Sequence, residues 1–312
     1  MAPSLITRTL PVGFGLEVEG LDLSSPLDES TRSTLRDLFV DAGVLVFRGA
    51  GTTPAAHIEL SRAFGELELH SNREALIEGC PELIDISYRP PGAGPTTGVQ
   101  PIYEVDGVHL AGWLAWHTDQ CFIPRLSRGG VLRALQVPRR FGRTGFMDKV
   151  LLHDTLDESI RARIADRRAV YRFEPRMDRN RYAVPDGARL VRSSIAMDSL
   201  VERLERDFPP VSHPLVLTQR ETGRAVLNFS PCYAVGIEGM AENEADELLT
   251  ALSDHCSRAA ARNAYFHDWQ VHDLVAWDNW RMLHQAEGCP ADETRLMHRT
   301  SIAGDYDLGA FT

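Results

Sequence analysis

Hydrophobic and polar positions change period several times along this chain, and each change marks an element. Between 28 and 47, Leu35, Leu38 and Phe39 recur at helical spacing, Gly43 offers a C-terminal cap, and Val44-Leu45-Val46-Phe47 reads as a compact buried strand. Thr53-Pro54 starts a second helix, with Thr as N-cap and Pro in the first turn, which ends near Gly65. Glu66-Leu67-Glu68-Leu69-His70 then alternates as a strand does. The run from Pro90 to Thr97, rich in Pro and Gly, suits an exposed or lid-like loop. Helical patterns return near 157–167 and 241–256. Short apolar runs with β character occupy Val131–Val137, Leu215–Thr218, Ala225–Phe229, Leu274–Trp277 and Arg299–Ile302. Many short strands with few helices predict a mainly β fold, an antiparallel sandwich or barrel with peripheral helices. Regular strand–helix alternation is missing, which disfavours a parallel α/β sheet. With no internal repeat and no long linker, residues 1–312 read as a single domain, with lid-like insertions near 71–113 and 170–212.

Composition narrows the classes. The 312 residues are 43% hydrophobic and 25% charged, ordinary values for a globular protein with a sizeable core. A formal charge of −11 argues against a nucleic-acid or anionic-membrane partner, although one local basic pocket could still take an anionic small molecule. No apolar run approaches the roughly 20 residues that cross a bilayer, and the first residues lack a signal-peptide pattern. The five cysteines are scattered and form no Cys-x-x-Cys pair, which speaks against a disulfide framework or a cysteine-rich zinc site. A cytoplasmic location is expected, and a homo-oligomer is left open.

The chemistry concentrates in two segments. In Gly112-Trp113-Leu114-Ala115-Trp116-His117-Thr118-Asp119-Gln120-Cys121-Phe122, an extended strand would put His117 and Asp119 on one face, able to chelate a divalent ion. It is the single His-x-Asp among eleven histidines, but taken alone it reads better as a strand-end histidine and carboxylate in ordinary hydrogen bonds. The second segment, Trp277-Asp278-Asn279-Trp280-Arg281-Met282-Leu283-His284, follows a buried strand and is succeeded by Arg295-Leu296-Met297-His298-Arg299. A distant histidine joining His-x-Asp gives a two-histidine, one-carboxylate facial triad. Its open positions suit iron(II) and oxygen better than a closed structural zinc site does.

With these motifs the sequence resembles the taurine dioxygenase and 2,4-dichlorophenoxyacetate dioxygenase (TauD/TfdA) family of iron(II)/2-oxoglutarate-dependent dioxygenases. The likeness runs through Gly15–Leu23, Val44–Gly49 and Arg62–Leu67, and is strongest in Trp116–Phe122 and Leu274–Asp305. It implies a double-stranded β-helix, the cupin-like jelly roll. It also implies His117, Asp119 and His284 as iron ligands, with Arg295 and Thr144 holding the distal carboxylate of 2-oxoglutarate. A guanidinium fork and a hydroxyl suit that group chemically. The implied reaction uses 2-oxoglutarate and O2 to oxidise, most simply to hydroxylate, a small anionic substrate, releasing succinate and CO2. Two rival readings of the same residues are a cupin-like metal-dependent hydrolase or isomerase and a non-catalytic jelly-roll binding protein.

For the substrate, the resemblance points to His70 and Arg299 as contacts for an anionic group and to Tyr233 as an aromatic wall. His70 also reads as a structural strand-end histidine, and Tyr233 as core. Trp113 stands where taurine-oxidising members have a small polar contact, and Arg73 where they have an aromatic one, so a larger acidic substrate than taurine is expected. The arginines between Arg172 and Arg192 are interspersed with acids and read as a solvated lid. His153, His267 and His272 each precede an acid directly; adjacent strand residues face opposite ways, so none chelates easily. Cys121 and Cys232 read as packing.

Overall fold

The computed structural model describes residues 5–69, 76–93, 100–185, 187–193 and 208–312. Two sheets face each other. The larger runs Ile6–Thr9, Leu16–Glu19, Val44–Phe47, Leu274–Asp278, Gly129–Gln136, Leu296–Ile302, Cys80–Asp85, Leu76–Ile77, with Leu67–Glu68 also paired to Leu296–Ile302. The smaller runs Tyr265–His267, Thr144–Asp148, Met282–Ala286, Leu114–His117. Among the described strands the pairing is antiparallel except between Leu16–Glu19 and Val44–Phe47. This is the sandwich expected from the pattern.

Alternation along each strand builds the layers. Val44, Val46, Val275, Trp277, Leu132 and Met297 point between the sheets, where they meet Phe146 and Met282. The intervening residues Leu45, Phe47, Ala276 and Val131 face the helices Glu29–Ala42 and Pro54–Arg62, packing on Leu35, Phe39 and Leu60. Fully burying one such side chain contributes about 1.5–3 kcal/mol. Both helix starts are capped as the sequence predicts: Asp28 accepts from the Thr31 N–H and Thr53 from the Ala56 N–H. Gly43, at φ +75°, ends the first helix in the left-handed region, and its N–H closes on Phe39 O at 2.9 Å. Outside the smaller sheet, the helix Glu242–Asn263 covers a third core with Leu248, Leu249, Leu252 and Cys256.

Several expectations need correction. The second helix stops at Arg62, and among the described residues the alternation after it yields the two-residue strand Leu67–Glu68. The last helix runs on to Asn263, and Lys149–Asp154 forms a further helix that the pattern did not suggest. Within 71–113, Cys80–Asp85 belongs to the larger sheet, and Ile102–Val105 pairs with Val108–Ala111 as a hairpin. Leu83 and Tyr103 there are fully buried, so these parts are framework rather than lid. The same holds in 170–212 for Tyr171 and Val211, which pair with each other across two strands.

Candidate functional site

His117, Asp119 and His284 come together between the two sheets. Strands Leu114–His117 and Met282–Ala286 are neighbours in the smaller sheet and pair His117 directly with His284. Their rings lie 4.0 Å apart between centroids. Asp119 stands 3.6 Å from His117 Nε2 through Oδ1 and 3.4 Å from His284 Nε2 through Oδ2. One ligand atom from each of the three lies within 4.8 Å of the others. The expected strand pleat does not account for this, because the strand ends at His117 and Asp119 sits in the turn beyond it. A side chain does the work instead. Asn279 Oδ1 accepts from the Asp119 N–H at 2.8 Å, while its Nδ2 donates to the carbonyls of Asp119 and Ser127, each at 3.1 Å.

The donors suit a divalent ion. His117 Nδ1 donates to Ala115 O at 2.9 Å, which leaves the Nε2 lone pair facing Asp119. Burial, reinforced by His117, pulls the His284 imidazole down to about 4, so it stays neutral. Burial alone would raise the Asp119 carboxyl, but the Arg299 guanidinium and then the His284 ring outweigh it and hold the acid well below the usual range. Two imidazole nitrogens and one carboxylate converging in this way make the donor set of a non-haem iron(II) centre.

Two arginines on Leu296–Ile302 and just before it flank this cluster. Arg299 and Arg295 are four residues apart and share the phase of Met297, which points between the sheets. Arg299 Nη2 is 2.6 Å from Asp119 Oδ2, and its guanidinium lies over the Trp277 ring at 5.0 Å. Arg295 Nε donates to Gly142 O at 3.0 Å, and its terminal nitrogens have no hydrogen-bond partner among the described residues. Burial pulls that guanidinium down to about 10, with Cys289 and Glu287 only partly opposing the shift. Thr144, two residues after Gly142, is buried on the inner face of its strand. Phe146, next on that face, pairs across to His284. At about 3.3 Å of strand rise per residue, Thr144 lies roughly 7 Å further along.

Tyr233 is buried with φ +71°, a left-handed conformation unusual for a bulky residue. Its ring sits 5.2 Å from Phe122 and 5.6 Å from Phe173, in a cluster that includes Phe208. Burial first, then Cys232, Cys121 and Asp119, pushes its phenol well above the ordinary value, so the ring lies within electrostatic reach of Asp119. Trp113 packs edge-on against Tyr103 at 5.6 Å. It also lines a cavity of about 940 Å³ that wraps the edge strand Leu114–His117 and reaches Trp116, Phe266 and Ser257. His70 and Arg73 lie outside the described residues. Nothing in the local sequence pattern gives Asn279, Lys149 or Trp269 a role. Lys149 is fully buried, with Nζ donating to Thr118 Oγ1 at 3.2 Å and Asn279 O at 3.1 Å. A lysine within a buried run marks the position as unusual but names no role.

Comparison with known proteins gives consistent answers. The family model "Taurine catabolism dioxygenase TauD, TfdA family" matches residues 7–301. An (S)-phenoxypropionate/alpha-ketoglutarate-dioxygenase of Sphingobium herbicidovorans is 30% identical over 98% of this chain and 97% of its own. An alpha-ketoglutarate-dependent 2,4-dichlorophenoxyacetate dioxygenase of Cupriavidus pinatubonensis is 28% identical over 97% of this chain and 99% of its own. A crystal structure of a taurine dioxygenase from Burkholderia xenovorans superposes with a TM-score of 0.71 at 25% identity, covering 97% of this chain and 92% of that one. The expected jelly roll is the fold of this chain.

Proposed function

This chain belongs to the taurine catabolism dioxygenase TauD, TfdA family, and from that premise we propose that His117, Asp119 and His284 hold its iron while Arg295 and Thr144 hold its 2-oxoglutarate. The enzyme is an iron(II)- and 2-oxoglutarate-dependent dioxygenase, which sets aside the hydrolase and binding-module readings. The observation that carries the residue assignment is the close His117–Asp119–His284 cluster together with a buried guanidinium, Arg295, that has no anionic hydrogen-bond partner among the described residues. Bound iron(II) supplies the redox chemistry that couples loss of CO2 from 2-oxoglutarate, leaving succinate, to insertion of oxygen into the substrate.

The chain's own residues prepare that chemistry. Burial keeps His284 neutral, Arg299 keeps Asp119 ionised, and the bond from His117 Nδ1 to Ala115 O leaves Nε2 free to ligate. Arg295 offers two terminal nitrogens to a carboxylate, and Thr144, about 7 Å along the strand from Phe146, offers a hydroxyl. A diacid reaching from the metal to that pair would run along the inner face of the smaller sheet.

For the substrate we assign an anion with an aromatic or bulky apolar body. Support comes from the ring cluster of Phe122, Phe173, Phe208 and Tyr233, which starts three residues after Asp119. Relatives named for phenoxypropionate, 2,4-dichlorophenoxyacetate and sulfate esters all act on small anions. Arg299, whose buried Nε has no hydrogen-bond partner among the described residues, is the cation assigned to the anionic group; His70 and Arg73 are assigned to the substrate on the sequence alone, and Trp113 to the outer wall. The one-domain reading of 1–312 is supported by sheet partners drawn from both ends of the chain, Val44–Phe47 beside Leu274–Asp278. No described helix is long and apolar enough to cross a membrane. A cytoplasmic site is the reading that five free cysteines favour.

The test is succinate release from purified protein over a panel of aryloxyalkanoates, sulfate esters and sulfonates. The parent should release succinate with an aryl-bearing anion. His117→Ala and Asp119→Ala should release none while keeping the parent's circular dichroism. Undiminished succinate from either folded variant overturns the ligand assignment.

A further inference from the structure

The Trp269 indole N–H donates to Thr144 Oγ1 at 3.1 Å, and both side chains are buried. An indole can only donate, so the threonine oxygen must accept in this bond. A hydroxyl carries a single proton, and here that proton is left over. The Thr144 hydroxyl makes no further hydrogen bond among the described residues, and the side chain is buried. Leaving a buried donor unsatisfied is unfavourable by about 1–3 kcal/mol, so an arrangement that enforces it implies an acceptor supplied from outside the chain.

Trp269 is itself held by a buried network that the iron site does not otherwise use. The His267 ring meets the indole edge-on at 4.4 Å. His267 Nδ1 accepts from the Tyr265 hydroxyl at 2.8 Å, and Nε2 donates to Asp273 Oδ2 at 3.2 Å. The Asp273 carboxylate, fully buried, also takes Arg48 Nη1 at 2.5 Å and the N–H groups of Gln270 and Gly49 at 2.9 and 3.1 Å. Each partner fixes the next. The imidazole has one allowed tautomer, and its plane then fixes the indole that faces Thr144.

We propose that Trp269 is a positioning residue for 2-oxoglutarate: by donating to Thr144 Oγ1 it turns the threonine proton toward the cosubstrate's distal carboxylate. The inference rests on the assignment of Thr144 to that carboxylate. A merely structural Trp269 would fill the space between the sheets and leave the hydroxyl's direction to chance.

The experiment is a double-mutant cycle read by anaerobic calorimetric titration of 2-oxoglutarate into the Mn(II)-loaded full chain, with KM and kcat measured alongside. Thr144→Val and Trp269→Phe should each weaken 2-oxoglutarate binding about tenfold or more, the scale of one hydrogen bond to a charged group. kcat at saturating cosubstrate should change far less. The double variant should bind no more weakly than Thr144→Val alone, and Trp269→His, which keeps a ring N–H, should recover part of the loss. Additive losses in the double variant, or unchanged binding in Trp269→Phe while Thr144→Val is weakened, overturn the inference alone. Unchanged binding in Thr144→Val removes the threonine from the cosubstrate site and the inference with it. Should Trp269→Phe fail to fold, Trp269→Leu, which also removes the N–H, takes its place in the cycle with Thr144→Val.

Discussion

Arg299 forks onto Asp119, with Nη2 at 2.6 Å from Oδ2 and Nη1 at 3.3 Å from Oδ1. The pair is nearly closed to solvent, at 17% and 12% side-chain exposure. Removing one member of a buried pair leaves an uncompensated charge, which costs about 3–5 kcal/mol. A divalent ion bound to Asp119 replaces the lost counter-charge. Arg299→Gln should therefore lower the melting temperature of the metal-free protein, and Mn(II) should raise it by more than it raises the parent's. Equal Mn(II) shifts in the two proteins would show that Arg299 does not balance Asp119.

Lys149 steadies the same acid from behind. Its ammonium joins Thr118 Oγ1 and Asn279 O, and Asn279 in turn grips both backbone polar groups of Asp119. Lys149→Met is close in volume but leaves the Asn279 carbonyl without its donor, so the turn carrying Asp119 loses one of its two anchors. Partners one step removed from a metal ligand typically govern a 10–100-fold range of affinity. Lys149→Met should weaken Mn(II) binding within about that range, while 2-oxoglutarate affinity at saturating Mn(II) stays near the parent's. An unchanged Mn(II) dissociation constant would reduce Lys149 to packing.

Strands and helices with a strong local pattern could be read directly from the sequence, as at Val44–Phe47, where four apolar residues are buried on both faces. Patterns that depend on distant partners could not. Glu66–His70 alternates well, yet among the described residues of that run Leu67 and Glu68 alone are paired, because pairing is decided by Ser301 and Ile302 more than two hundred residues away. His-x-Asp was legible as chemistry but not as geometry, since Asn279 rather than a pleat sets Asp119. His267 was discounted because its adjacent acid, Asp268, faces the other way. Its actual partner is Asp273, six positions on, brought back by the turn before Leu274. The arginine fork on Asp119 gave no local signal, because the two residues are 180 positions apart.

Gly129-Gly130 lets a tryptophan lie against the His117–Asp119–His284 cluster. A Cβ on Gly130 would stand 2.6 Å from Trp277 Cη2 and 2.9 Å from the backbone oxygen of Thr300, too close on two sides. Trp277 is fully buried and its ring is 5.2 Å from that of His284. Overpacking of this kind costs about 1–3 kcal/mol. Gly130→Ala should lower the urea midpoint accordingly and also weaken Mn(II) binding, because the displaced indole presses on His284. Loss of stability with unchanged metal affinity would show that the strain relaxes toward the helices instead.

His57 gives the fold a specific sensitivity to acid. It is fully buried between the helix Pro54–Arg62 and the larger sheet, with Nε2 2.9 Å from Val131 O and Nδ1 unpartnered. Burial pulls its pKa to about 3, against a partial rise from the Val131 bond, and the charges of Arg133 and His298 push the same way as burial. A histidine depressed in the folded state takes up its proton more readily once unfolded. Stability through this group is thus complete above about pH 6.5 and falls steadily as the pH drops toward 3. By pH 5 the loss should reach about 2 kcal/mol. His57→Gln keeps an N–H for Val131 O but cannot titrate. Its unfolding free energy in urea should therefore decline less than the parent's between pH 7.5 and 5, by about that amount. His213, also pulled down by burial, to about 4, contributes equally to both proteins, so the difference between their profiles isolates His57. Parallel profiles would mean that His57 is already protonated in the fold or that its helix opens before the rest.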